Sequence, residues 1–197
     1  MSDAMESLYP FLYSDTTDLA AVLDQVRAST VAKVAEIGEL RRAVAARDEA
    51  RIAECAAQAA ARFAAGGRLF AFGNGGSATD AQQLATLFLN PAPGHGGNGA
   101  PPLPAFGGRN DIAVGLSTSG NSANLLRAFD EAARRGMLTI GLAGYDGGTM
   151  AELDSIDYLF IAPSSSVHRI QEAQTTIYQV LWQLTAEEVS HVPRHTR

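Results

Sequence analysis

The chain has 197 residues, of which 46% are hydrophobic, and a formal net charge of −6. That length suits one domain with an ample core. The acidic balance, with no basic cluster, argues against non-specific nucleic-acid binding, and no apolar run approaches membrane-spanning length. No charged-then-apolar signal opens the chain, so the expectation is a soluble cytoplasmic protein. Cys55 is the single cysteine, which makes an intramolecular disulfide impossible, and its alanine-rich setting in residues 53–61 predicts a buried small filler.

In chain order, a short apolar opening (Leu8, Tyr9, Pro10, Phe11) precedes candidate helix caps at residues 15–17. A long amphipathic run follows, with the stripe Leu19, Val22, Leu23, Val26, Val34, Ile37, Leu40 and Val44 at helical spacing. A second helix is expected over 48–65, ended by Gly66-Gly67 as a C-cap. So much helix before the first strand needs a partner, either the sheet or a helical bundle shared between subunits.

Next comes Leu69-Phe70-Ala71-Phe72-Gly73-Asn74-Gly75-Gly76-Ser77-Ala78-Thr79-Asp80-Ala81. It reads as a buried parallel strand ending at Phe72, a glycine turn, and a helix beginning at Ala78 with Ser77 as cap. The glycines let an anion approach backbone amides at the positive end of a helix. The same logic recurs at Ser117-Thr118-Ser119-Gly120-Asn121-Ser122, where four hydroxyls within six residues follow the strand at Ile112. Neither loop brings the lysine of a Walker P-loop, so a sugar phosphate suits them better than a nucleoside triphosphate. Each hydroxyl alone could merely cap a helix, but their recurrence favours anion binding.

Residues 91–109 carry five of the eight prolines, which excludes helix and interior strand. Beyond Ser122 the expected elements are a helix to Arg135 closed by Gly136, a strand over 137–142, a short helix over 149–153, a strand over 158–161 and a last helix over 168–188. Residues 191–197 read as a disordered tail. Alternating strand and helix of this kind makes an α/β, doubly wound parallel sheet in three layers, with ligands at the carboxyl ends of its strands. Both hydroxyl- and glycine-rich loops fall on that edge. The domain reading is a single unit over 1–197, with a helical segment at 15–65, an α/β core at 68–190 and the tail.

Gly73-Asn74-Gly75-Gly76-Ser77 with Asp80-Ala81-Gln82, the 117–122 loop, Gly144-Tyr145-Asp146-Gly147-Gly148 and Arg169-Ile170-Gln171-Glu172 resemble the sugar isomerase (SIS) domain, phosphoheptose isomerase branch, over most of residues 17–190. The resemblance implies a flavodoxin-like fold, an oligomer of tetramer type and a sugar phosphate such as sedoheptulose 7-phosphate as ligand. It implies phosphate and sugar binding by Asn74, Gly75, Ser77, Ser117, Thr118, Ser119 and Ser122. In the family, a Pro-Ala-apolar strand near 103–106 leads through an aspartate-bearing loop and a helix. This chain keeps Leu103-Pro104-Ala105-Phe106 but then jumps through Gly107-Gly108-Arg109-Asn110 to the strand at Ile112.

Aldose–ketose isomerisation needs a base to move a proton between adjacent carbons and an acid or metal to polarise the carbonyl. The resemblance implies that a histidine and a glutamate on the helix after the first loop, with a glutamine and a histidine on the last helix, supply these groups. In this chain those positions are Gln83, Leu87, Gln171 and Gln179, and a further histidine common after the Gln-Glu pair is Gln174. Only Gln171 is kept. Glutamine does not titrate near neutral pH and rarely replaces histidine as a zinc ligand. The expectation is therefore no metal, no other cofactor and no native catalytic set, with His168 and Glu172 as substitute bases whose ordinary structural roles are favoured. Three functions follow: a non-catalytic phosphosugar-binding protein, as a sensor or as the partner subunit of an active relative; an isomerase using substitute residues; or an oligomeric scaffold like the replication initiator-associating branch. Gly73, Gly75 and Ala78 fit a dinucleotide fingerprint only loosely, with no acidic residue placed for a ribose.

Overall fold

The computed structural model describes residues 19–89 and 107–191. The expectations for the apolar opening, the caps at 15–17, most of the proline-rich stretch and the tail beyond His191 lie outside these residues. Contacts divide the chain into two units, Met1–Glu39 and Leu40–Arg197. In the first, the described residues are helical and leave Leu19, Leu23, Val26 and Val34 more than half exposed.

Helix α1 spans Leu19–Ala64 without interruption, which corrects the expected division into two helices. Residues 45–48 are Ala, Ala, Arg and Asp, with no glycine or proline to break the ladder. Asp48, which resembles an N-cap, is instead buried and ion-paired with Arg47 at 2.5 Å and Arg51 at 3.4 Å. The helix does end as expected. Gly66 takes φ +81°, and the amides of Gly66 and Gly67 donate back to Phe63 O and Arg62 O, both at 2.9 Å. This is a Schellman closure, in which glycine is favoured for its left-handed backbone.

Among the described residues four parallel strands follow, β1 (Leu69–Gly73), β2 (Ile112–Leu116), β3 (Leu138–Gly144) and β4 (Tyr158–Ala162), in the spatial order β1-β2-β3-β4. Helix α2 (Gly76–Leu89) follows β1, α3 (Ala123–Arg134) joins β2 to β3, a 3₁₀ turn (Gly148–Glu152) joins β3 to β4, and α4 (Val167–His191) follows β4. Strands β2 and β3 are buried throughout, as apolar runs covered on both faces should be. β1 is only half-buried, contrary to expectation, because among the described residues it has a strand neighbour on one side alone.

Helix α3 and the 3₁₀ turn cover one face of the sheet, where Phe129, Ala143 and Met150 form a core with Phe72, Leu126 and Leu159. Helices α2 and α4 pack together over the other face, burying Leu84, Ile170, Ile177 and Tyr178. The strand alternation explains the division. A β-carbon at Gly115 would lie 2.4 Å from the Phe129 ring, whereas one at Gly144 would lie 2.5 Å from Ile170 on the opposite face. Cys55 is fully buried, and desolvation pushes its thiol up to about 12, so it is an inert filler as expected. No described helix is long and apolar enough to cross a membrane.

On the open side of β4, the carbonyls of Leu159 and Ile161 accept from Arg51 and Arg47 of α1, and the Arg51 guanidinium also lies 5.5 Å from the Phe160 ring centroid. At the amino ends of the strands, Asp111 takes Arg68 N at 2.8 Å, the Arg68 guanidinium at 2.9 Å and Gly108 N at 2.7 Å.

Candidate functional site

The register pairs Gly73 with Leu116 and Leu116 with Leu142, so the loops leaving β1, β2 and β3 emerge side by side at the carboxyl edge. A β-carbon at Gly73 would lie 2.5 Å from Ser77 O, so glycine is what lets α2 start immediately after the strand. The helix begins at Gly76, two residues before the expected start. Ser77 is therefore buried inside its first turn rather than capping it, and its amide donates to Asn74 O at 3.1 Å. Gly75 supplies the left-handed turn at φ +55°.

In the second loop the hydroxyls divide into two kinds. Ser117 is buried; its amide extends the β ladder to Leu142 O at 2.9 Å, and its Oγ accepts from Gly120 N at 3.1 Å. This side chain shapes the loop from within. Ser119 is exposed, and its Oγ accepts from Asn121 N at 3.3 Å, which leaves its proton for another acceptor. Ser122 stands at the N-cap of α3 in extended conformation, yet its hydroxyl makes no capping bond. Thr118, in the same loop, is half-buried.

Two further walls enclose the edge. The loop after β3 braces the serine loop: Thr149 donates from both N and Oγ1 to Asn121 Oδ1 at 2.8 Å, and Met150 N donates to Gly120 O at 3.0 Å. Gly120 has φ +68°, and a β-carbon there would lie 1.9 Å from Gly147 O. The fourth wall is α4, whose residues 171, 174 and 178 share one face at helical spacing. Gln171 Nε2 donates to Asp80 Oδ2 at 3.3 Å and lies 2.6 Å from where a Gly76 β-carbon would sit. Gln174 is fully buried; its Nε2 donates to Ser117 O at 3.2 Å, while its Oε1 has no partner among the described residues. Tyr178 OH donates to Gln83 Oε1 at 2.9 Å. Burial raises the Asp80 carboxyl above its ordinary value, partly offset by the Gln171 bond. Burial likewise raises Tyr178, with the Asp80 charge adding to it.

The structure thus brings together Asn74, Gly75, Ser77, Ser117, Thr118, Ser119, Ser122 and Gln171 around one edge. It does not bring Glu172 into the set, since that carboxylate pairs with Arg169 one turn earlier. His168 is exposed on the first turn of α4. Three residues to which the sequence reading gave no role also belong here: Asn124, which exchanges side-chain hydrogen bonds with Asn74; Asp80; and Tyr178. Polar residues on the sheet-facing stripe of α4 were the available signal for the α4 part of this network.

The donor set does not fit the metal that the resemblance implies. Gln83, Gln171 and Gln174 are amides held by Tyr178, Asp80 and Ser117, Leu87 offers no donor, and Gln179 is exposed. Among the described residues no three of His, Cys, Asp or Glu stand close enough to share an ion.

No family model matches the chain. It is 37% identical over 163 residues to the phosphoheptose isomerase of Solidesulfovibrio magneticus, covering 70% of this chain and 78% of the relative. It is 32% identical over 191 residues to that of Nitratidesulfovibrio vulgaris strain Miyazaki F, covering 82% and 89%. Among solved structures, a phosphoheptose isomerase from Neisseria gonorrhoeae superposes with TM-score 0.65 at 27% identity over 82% of this chain and 99% of its own. One from Francisella tularensis gives 0.62 at 25% identity over 87% and 100%. With loops, strand order and relatives in agreement, the chain belongs to the phosphoheptose isomerase family of SIS-domain proteins.

Proposed function

We propose that this protein binds a sugar phosphate such as sedoheptulose 7-phosphate at the carboxyl edge of its sheet without isomerising it, as a sensor or as the partner subunit of an active relative. One observation carries the reading. The hydroxyl-bearing loops are intact, while Gln83 and Gln174, at positions where the family resemblance implies histidine, are amides already bonded to Tyr178 and Ser117. An amide can orient a hydroxyl but cannot take up a carbon-bound proton near neutral pH. Phosphate is held by Ser119, Ser122 and Thr118 with the amides at the starts of α2 and α3. Asn74 and Gln171 face the sugar.

The relatives' names favour a second reading, an active isomerase that recruits another base. Proton NMR of sedoheptulose 7-phosphate in deuterated buffer with stoichiometric protein separates the two. Broadened ligand signals with no deuterium at the carbon beside the carbonyl are expected; deuterium incorporation overturns the non-catalytic reading.

The domain reading is a single SIS domain acting in the cytoplasm, in a homo-oligomer of tetramer type or with the active relative. In the second unit, an apolar groove of about 290 Å³ lined by Val44, Ile52, Ile177, Val180 and Leu184 supports assembly through helices. Analytical ultracentrifugation that finds only monomer at micromolar concentration overturns the oligomer.

A further inference from the structure

Among the described residues of the second unit, the other buried and half-buried carboxylates have arginine partners, Asp48 with Arg47 and Arg51, Asp111 with Arg68, Glu131 with Arg134 and Arg135, and Glu172 with Arg169. Asp80 departs from this rule. It is half-buried on the first helix of the site, and its hydrogen bond comes from the neutral amide of Gln171 at 3.3 Å, at the long end for such a contact. A partly desolvated carboxylate without a cation costs stability, and groups perturbed in this way cluster at functional sites. Its position names that use. Gln171 lies directly over Gly76, where a β-carbon would come within 2.6 Å of its amide, so the carboxylate–amide pair borders the loop at which the phosphate docks.

We propose that Asp80, steadied by Gln171, accepts a hydroxyl of the ligand's polyol chain, so that the site selects a sugar monophosphate with an uncharged head over free phosphate, bisphosphates and acidic sugars. The assignment rests on the phosphosugar reading above and adds a specificity residue to it. A carboxylate is acceptor-only, so it matches a hydroxyl donor and repels any second anionic group placed beside it. Of the two substitute bases, Glu172 is tied to Arg169 and His168 lies exposed at the helix start.

The test is isothermal titration of the full chain with sedoheptulose 7-phosphate and, separately, inorganic phosphate, on the parent protein, Asp80→Asn and Gln171→Leu, with thermal melts of each. Asp80→Asn should weaken sugar-phosphate binding about tenfold or more, because a charge-assisted bond is lost. It should leave inorganic phosphate as tight or tighter, because a negative charge has gone, and it should not lower Tm. Gln171→Leu, which removes the brace on the carboxylate together with the glutamine's own contact with the sugar, should also weaken the sugar phosphate. Unchanged sugar-phosphate affinity in Asp80→Asn, or equal loss of both ligands, overturns the proposal. If Asp80→Asn does not fold, unchanged affinity in Gln171→Leu overturns it. A parent protein that binds neither ligand overturns the phosphosugar reading itself, a distinct outcome from these.

Discussion

Asn74 and Asn124, fifty residues apart, exchange both their side-chain hydrogen bonds, Asn74 Nδ2 to Asn124 Oδ1 at 2.8 Å and Asn124 Nδ2 to Asn74 Oδ1 at 3.0 Å. The pair ties the glycine loop to the first turn of α3, and each amide keeps a second hydrogen and lone pair for a ligand. Because the pair is exposed, a double-mutant cycle with Asn74→Ala and Asn124→Ala should give a coupling of about 1 kcal/mol or less in stability. Sugar-phosphate affinity should fall in both single variants. Retained affinity in either, measured by calorimetry, argues that the pair only fastens the loops.

Ser122 offers a separation of capping from binding. A serine whose hydroxyl caps a helix costs about 1 kcal/mol when replaced by alanine, but here the hydroxyl makes no such bond. Ser122→Ala should therefore leave the denaturation midpoint nearly unchanged and still reduce phosphate affinity. A stability loss with unaltered affinity reverses the assignment.

Gly120→Ala should be severe. The new β-carbon would need to occupy a point 1.9 Å from Gly147 O at a backbone φ of +68°. Clash and left-handed strain together predict a loss of about 3 kcal/mol or more, or a displaced serine loop. Urea unfolding and phosphate titration report the two consequences separately.

Asp111 sets an acid limit on the fold. Burial pushes its carboxyl upward, but bonds from Arg68 and the Gly108 amide outweigh this and hold it below the ordinary aspartate value. A depressed folded-state value means that its contribution is complete above about pH 4 and drains away as pH falls further. Asp111→Asn should cost about 2 to 4 kcal/mol at neutral pH and flatten the acid limb of the stability curve. A parallel acid limb in the variant would assign that limb to other carboxylates.

The strands, the two loops and their common edge were legible because each is written locally. Buried parallel strands are continuous apolar runs, and the turns carry their glycines and hydroxyls in sequence. The single α1 helix was misread at Asp48 because a cap-like residue was judged without its partners; Arg47 and Arg51 turn it into a buried ion pair inside the helix. The links Asp80–Gln171, Gln83–Tyr178 and Asn74–Asn124 join residues 50 to 95 positions apart, so no window of sequence contains both members. What sequence did offer was Gln174, a polar residue amid Ile170, Ala173, Ile177 and Leu181 on the buried stripe of α4. Its full burial under the Ser117 loop is the kind of departure from pattern that marks a site.

Arg47 and Arg51 have a consequence for how copies of this chain can meet. By occupying the outward carbonyls of Leu159 and Ile161 they take up acceptors that the amides of a foreign strand would need there. Growth by sheet continuation past β4 is disfavoured, so any contact between copies on that side is expected to set helix against helix, where shape rather than backbone hydrogen bonding decides the partner.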